Sequence, residues 1–362
     1  MHGDFYCKYL LLPLFALLSV ILLSACQPSS NTPQQSMYQQ QLFSFGTLID
    51  INILSNDKHH AKQAIADISR EFEQLHTRWH PWNYGALALL NQHFSQSANS
   101  QTTPDIIKLI QDSQLLSEQS NGLFNPAIGR LIQLWQFDQL EDEKHAFKLP
   151  DPQAIQQLVS VKPQMQNIQI HNNEVSATKM EIALDFGAFA KGVAIEKAIK
   201  LLKKNSIKNA LINAGGDLKV LGDKNGKPWR IGIKNPLKTQ DSSTKAIIAA
   251  IELKNNEALF TSGSYERFFE FQGKHYHHII DPRTGYPAQG TLSVTVLSED
   301  AALADAASTA LFIAGPELWS EIAKKMHIQY VMLMTDDNKI YLTPAMAERI
   351  ELLTDIRPII VE

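Results

Sequence analysis

Apolar and polar residues alternate along residues 42–54, a period of two that predicts a strand. Residues 61–75 change to a helical repeat, because Ala64, Ile65, Ile68, Phe72 and Leu75 recur on one face. Thr103-Pro104 sets an N-cap before a proline at the first helical position and opens a predicted helix through Glu118. Past Ile168 the pattern shortens to strands at 168–170 and 174–177 around Asn172-Asn173, then at 210–213, 229–234, 246–253, 268–271 and 292–297. Helical patterns return at 190–203, 301–312 and 317–326. The order is helix-rich at first and strand-rich from about residue 168. It predicts an α+β fold of mixed short-strand sheets with flanking helices, not a doubly wound sheet.

The first residues follow different rules. Lys8 precedes an apolar run at 10–23, shorter than the roughly 20 residues of a comfortable membrane span. The run ends in Leu23-Ser24-Ala25-Cys26, which resembles the lipobox of bacterial lipoprotein signal peptides. Residues 1–25 are therefore expected to be cleaved, leaving Cys26 as an acylated first residue that anchors the chain to a membrane. Residues 27–41 are rich in Gln, Ser, Pro and Asn and predict a flexible tether over 26–41, with the catalytic body at 42–362. Cys7 and Cys26 are the only cysteines, so after cleavage and lipidation no thiol remains for a disulfide.

Composition narrows the function classes. The chain has 362 residues, 44% of them hydrophobic and 19% charged, enough for a substantial core. A net charge of -4 without a basic cluster argues against nucleic acid and for a small-molecule site. No G-x-G-x-x-G follows a strand. Residues 222–228 imitate a phosphate-binding loop, but they are one residue short and place Pro228 where Ser or Thr would meet magnesium, so a hairpin turn is expected. His275, His277 and His278 have no cysteine pair or H-e-x-x-H partner for zinc, and strand geometry sends His278 to the face opposite the other two.

Four segments carry chemistry. Residues 276–287 crowd His277, His278, Asp281 and Arg283 against a tight turn. Residues 184–192 put Asp185 at a strand end, then small residues, then a helix N-terminus that favours anions; Asp185 as a plain N-cap is the alternative. Asn213 to Asp217 close a strand with paired glycines, suggesting a bulge or close backbone approach. Asp305 and Thr309 share a face of an Ala-rich helix, a pair suited either to a hard cation such as Mg²⁺ or to an intrahelical hydrogen bond.

Taken together, Phe45-Gly46-Thr47, Gly122 to Pro126, Leu134 to Phe137, Asp185 to Gly192, Asn213 to Asp217, Thr261 to Tyr265, His278 to Pro287 and Ala304 to Thr309 resemble the ApbE-type FAD:protein FMN transferases, in that family's order. The resemblance implies an ApbE-like fold and an enzyme that cleaves FAD, releases AMP and joins FMN to a Thr or Ser of a target protein. Typical targets in the family are subunits of sodium-pumping NADH:quinone reductase and of Rnf complexes. It further implies His278 as the base that deprotonates the acceptor and Mg²⁺ on Asp305, Thr309 and the carbonyl of Ala188. Phe45, Trp79, Leu123, Phe124, Asn125, Asp185, Lys191 and Ile279 would line the FAD site. Asp281 and Arg283 are expected to brace the turn with a salt bridge. Asn121 and Asn125 stand where the family commonly carries aspartates. Such targets imply a lipid-anchored enzyme on the periplasmic side of the inner membrane. A metal-dependent FAD pyrophosphatase and a flavin-carrying lipoprotein would use many of the same residues.

Overall fold

In a computed structural model the described residues are 34–139, 148–237 and 245–362. The expected signal segment and Cys26 lie outside them. Residues Ser36–Glu362 form one compact unit.

Its centre is a nine-stranded sheet with the spatial order Ser36–Ser44, Thr47–Ser55, Asn209–Ala214, Asp217–Leu221, Ala258–Gly263, Thr291–Ser298, Tyr330–Thr335, Ile340–Leu342 and Ile359–Ile360. Both faces are covered. Ile51, Ile212, Phe260, Val294 and Leu333 point into one core, packed with residues of the helices Lys58–Trp79, Ala190–Lys204 and Ala301–Lys325. Their strand neighbours Leu211, Leu218, Leu259 and Met332 point into a second core. That second core is closed by a three-stranded sheet of Trp229–Lys234, Ile247–Leu253 and Ile350–Leu352. Central strands buried on both faces read as near-continuous apolar runs, which accounts for the weak alternation in this half of the sequence.

Several expectations shift in detail. Residues 42–54 form a hairpin, not one strand: Ser36–Ser44 pairs antiparallel with Thr47–Ser55 across a turn at Phe45 and Gly46. Both turn residues take positive φ, 52° and 69°, the geometry that matches the twist of a two-residue hairpin. The folded body therefore begins at Ser36, not at Leu42. Gln39, Gln40 and Gln41 read as tether because they are polar, yet they belong to an edge strand paired through its main chain, and Gln39 and Gln41 add side-chain bonds to Asn52 and Asp50 opposite. Residues 222–228 do hold the expected tight turn: Lys224 and Lys227 exchange main-chain bonds at 2.7 and 3.3 Å across Asn225 and Gly226, at φ 55° and 81°. The segment connects Asp217–Leu221 in the large sheet to Trp229–Lys234 in the small one.

The long helix Ala301–Lys325 fuses the two helical patterns expected at 301–312 and 317–326, with a break at Gly315 (φ 70°) just before Pro316. Asp300 caps its start by accepting the Leu303 N–H at 3.0 Å.

Candidate active site

The site forms where the helices Ala190–Lys204 and Ala301–Lys325 converge on the strands Asp217–Leu221 and Ala258–Gly263. Gly215 and Gly216, at φ 66° and 107°, make the two-residue turn that leads into Asp217. A Cβ on Gly215 would stand 2.3 Å from Thr47 Oγ1, so the expected close approach is real but sits in a hairpin turn, not a bulge. Since Leu218 and Val220 face the second core, Asp217 and Lys219 face the helices.

Lys191 pairs with Asp217 and lies 3.7 Å from Asp305. One ammonium thus serves two buried carboxylates, and their charges raise its pKa against the opposing effect of burial. Asp305 is 3% exposed. Burial, reinforced by Asp217 and opposed by Lys191, pushes its carboxyl up to about 6. Its Oδ2 accepts the Gly192 N–H at 2.8 Å, one of the first-turn donors that a helix leaves without an intrahelical acceptor. Asp217 Oδ1 accepts the Thr261 N–H at 2.9 Å, which ties in the next strand. Ser262 on that strand meets Ser308 Oγ at 2.8 Å and Thr309 Oγ1 at 3.2 Å.

These donors fit a hard cation. Two carboxylates share one lysine, leaving net negative charge, and hydroxyl oxygens of Thr309, Ser262 and Ser308 stand together nearby. In the turn at 186–189 the N–H groups of Phe189 and Ala190 both go to Phe186 O, and among the described residues no main-chain N–H ends on the Ala188 carbonyl. Three or more His, Cys, Asp or Glu side chains grouped for a metal do not occur among the described residues, so a nitrogen- or thiolate-rich centre is not built here.

His278 follows the strand Lys274–His277 and is half-buried. Its N–H donates to Arg267 O at 3.1 Å and its Nδ1 lies 3.3 Å from the same oxygen. A carbonyl only accepts, so Nδ1 carries the proton and Nε2 presents the lone pair. Burial first, then the charges of Arg267, His277 and Lys191, pushes the imidazole down to about 3. His278 is an uncharged base at neutral pH. His277 is buried, with Nε2 2.9 Å from Ala288 O, and burial pushes it down to about 4. His275 bonds to Ser264 O, so the three histidines serve three separate purposes.

The sequence profile of the ApbE family matches residues 45–332. The chain belongs to the ApbE family. A relative named FAD:protein FMN transferase from Rhodobacter capsulatus is 37% identical over 316 residues, covering 86% of this chain. The chain spans 58% of that relative's own length. A second protein of that name, from Haemophilus influenzae, is 29% identical over 261 residues, covering 70% of this chain and 72% of the relative. The crystal structure of the ApbE protein of Thermotoga maritima superposes with a TM-score of 0.78 at 26% identity, covering 87% of this chain and 99% of that one. The flavin transferase ApbE from Vibrio cholerae shares the fold, with a TM-score of 0.73 at 24% identity. The ApbE fold is α+β, as the sequence pattern predicts.

Within this ApbE fold the expected residues gather in two adjoining groups. Phe45 meets Trp79 at 6.3 Å between ring centroids and His76 at 5.8 Å, while its N–H donates to His76 Nδ1 at 3.2 Å. Trp79 donates from Nε1 to Asp105 at 2.8 Å. In the second group Pro126 O accepts the Asp185 N–H at 2.9 Å and Phe124 packs on Phe189, which sets residues 123–126 against the Ala188 turn and Lys191. Arg267 links the first group to His278, since its Nη2 donates to Gly46 O at 2.7 Å and its own carbonyl holds His278.

Several of these residues carry structural duties. Phe124 is 1% exposed and belongs to the core, with Leu123 beside it. Asn125 commits both ends of its amide to main chain, donating to Pro163 O at 2.8 Å and accepting from Ala127 N at 3.2 Å. Asn121 takes φ 54° after the helix Pro104–Gln119, a left-handed position that asparagine tolerates. Asp185 does not cap a helix: it accepts from Gly187 N at 2.7 Å, and the helix starts only at Ala190. Lys191 is no solvated surface charge. Ile279 is buried in the large core, and its carbonyl accepts from Ala288 N. Asp281 and Arg283 form the braced turn as expected, through a two-pronged pair at 2.7 to 3.1 Å.

Asp217, Ser262 and Arg267 escaped the sequence reading as site residues. The signal for the first two lay in segments already singled out, Asn213 to Asp217 and Thr261 to Tyr265; their pairing with Lys191 and Thr309 exists only in the fold.

Proposed function

We propose that this chain is an FAD:protein FMN transferase, moving FMN from FAD to a Thr or Ser hydroxyl of a target protein. The observation that carries this reading is a base with a free lone pair, His278 held through Nδ1 by Arg267 O, in the same fold as the buried carboxylates Asp217 and Asp305 bridged by Lys191. The names of the relatives support the same chemistry.

In this reading Phe45, Trp79, Leu123, Phe124, Asn125, Asp185, Lys191 and Ile279 hold FAD, with aromatic walls suited to a flat ring. His278 Nε2 accepts the acceptor's hydroxyl proton. The hydroxyl oxygen bonds to the FMN-side phosphorus, the bond from that phosphorus to the bridging oxygen breaks, and AMP leaves with that oxygen. Asp305, Thr309 and the carbonyl of Ala188 would hold Mg²⁺, which when bound offsets negative charge on the phosphate oxygens. Lys191 bridges Asp217 and Asp305.

The same reading takes the acceptors to be flavin-bearing subunits of membrane redox pumps and takes Cys26 as a lipid anchor on the periplasmic side of the inner membrane. Loss of membrane association in Cys26→Ser cells would support the anchor; unchanged fractionation would remove it.

The test is mass spectrometry of a Thr-bearing acceptor peptide incubated with FAD, Mg²⁺ and the protein. A covalent FMN adduct with release of AMP is expected, and His278→Ala should abolish it while leaving FAD bound. Unmodified peptide with accumulating AMP would replace transfer by hydrolysis, and intact FAD would leave only a carrier.

A further inference from the structure

Arg267 divides its work between main chain and side chain. Its carbonyl accepts from the N–H of His278 at 3.1 Å and stands 3.3 Å from His278 Nδ1, so it sets the ring of the base. Its guanidinium gives Nη2 to Gly46 O at 2.7 Å in the turn that carries Phe45. Glycine at 46 permits this contact, because a Cβ there would lie 2.3 Å from Nη2.

That single bond uses one of five N–H donors. Among the described residues no carboxylate pairs with Arg267, whereas the neighbouring Lys191 is matched to Asp217 and Asp305. The Arg267 carbonyl holds the base while its guanidinium reaches the Phe45 turn, so the residue stands between His278 and the aromatic group of Phe45 and Trp79. The residue is exposed. A guanidinium with unused donors, no counter-charge and solvent access, held beside a neutral base, is built to receive an anion with several oxygens.

We propose that Arg267 is a substrate-contacting residue: its free guanidinium edge binds the phosphate oxygens of the flavin nucleotide and fixes the reacting phosphate beside His278. The proposal rests on the transferase reading and adds to it a residue that selects for the phosphorylated flavin. Geometry separates it from a simple brace, since the Gly46 contact leaves most of the fork unoccupied.

The experiment compares binding of riboflavin, FMN, FAD and inorganic pyrophosphate to the full chain and to Arg267→Met and Arg267→Lys, by flavin fluorescence and calorimetry. Riboflavin has the ring and no phosphate. The expected result for Arg267→Met is roughly a tenfold weaker Kd for FMN, FAD and pyrophosphate with riboflavin unchanged, and a partial recovery in Arg267→Lys. Equal weakening of all three flavins would overturn the proposal in favour of a brace for the Phe45 turn. Unchanged binding throughout would overturn it too. If the parent protein bound no flavin, the transferase reading would fall. Pyrophosphate binding lost in Arg267→Met would then still uphold the anion site, and pyrophosphate binding that is absent or unaltered would end it.

Discussion

The backbone N–H of Gly192 donates to Asp305 Oδ2 at 2.8 Å, joining the first turn of one helix to a side chain on another. The same glycine lets the helices touch: a Cβ at 192 would lie 2.3 Å from Ala301 O. Packing and site geometry are thus set by one residue.

Gly192→Ala is expected to force the helices apart, lowering stability by about 1–3 kcal/mol and reducing FMN transfer by moving Asp305. Urea denaturation and the peptide assay measure the two effects. A variant of unchanged stability would mean that the helix contact yields freely.

Lys191→Met removes the ammonium between Asp217 and Asp305 and leaves two buried carboxylates facing each other. With some allowance for partial exposure of the lysine, a loss of about 2–4 kcal/mol is expected. Adding Asp217→Asn should restore part of it, because one of the two like charges is gone. Additive losses in the double variant would disprove the coupling.

His277 links stability to pH. Its folded-state pKa is lowered from 6.5 to about 4 by burial, so the unfolded chain binds the extra proton first. The contribution is full above pH 6.5 and declines as pH falls through the window down to about 4. Thermal unfolding followed across that range should show Tm falling toward acid, with a shallower slope in His277→Gln. Parallel slopes would refute the assignment.

His278 sets the acid side of the rate profile. Because burial and nearby charges push its imidazole down to about 3, it stays unprotonated where an ordinary histidine, at 6.5, would already be charging. The profile of kcat/KM for free enzyme should therefore show no acid limb from this group between pH 5 and pH 7, a flat region expected from the general behaviour of bases above their pKa. With Mg²⁺ saturating, so that Asp305 stays ionised, a limb centred near 6.5 would show that the base is solvated in the free enzyme.

The segments that carry chemistry were readable because each pairs a titratable residue with a local backbone device: Asp185 before small residues, Asp217 after two glycines, His278 before a braced turn. Asp305 and Thr309 were readable as a pair from helical spacing alone. Helical spacing does not show that Lys191 and Gly192 N already meet the Asp305 carboxylate. The edge strand Ser36–Ser44 was misread because side-chain polarity says little about a strand held by main-chain bonds. The strand Asp217–Leu221 does alternate, Asp217 and Lys219 against Leu218 and Val220, but it is only five residues long and buries its polar face as well, so its pattern resembles that of a short exposed loop.

The sequence by itself determined the local periods, the turns that need glycine or asparagine, and the residue types of the site, because these depend on neighbours a few positions away. Only the tertiary structure decided that Lys191 meets Asp217 and Asp305, that Ser262 meets Thr309, and that Arg267 spans from His278 to Gly46. Those partners stand far apart in the chain. What brings them together is the sheet order, fixed by burying two apolar faces at once, and no local pattern contains that information.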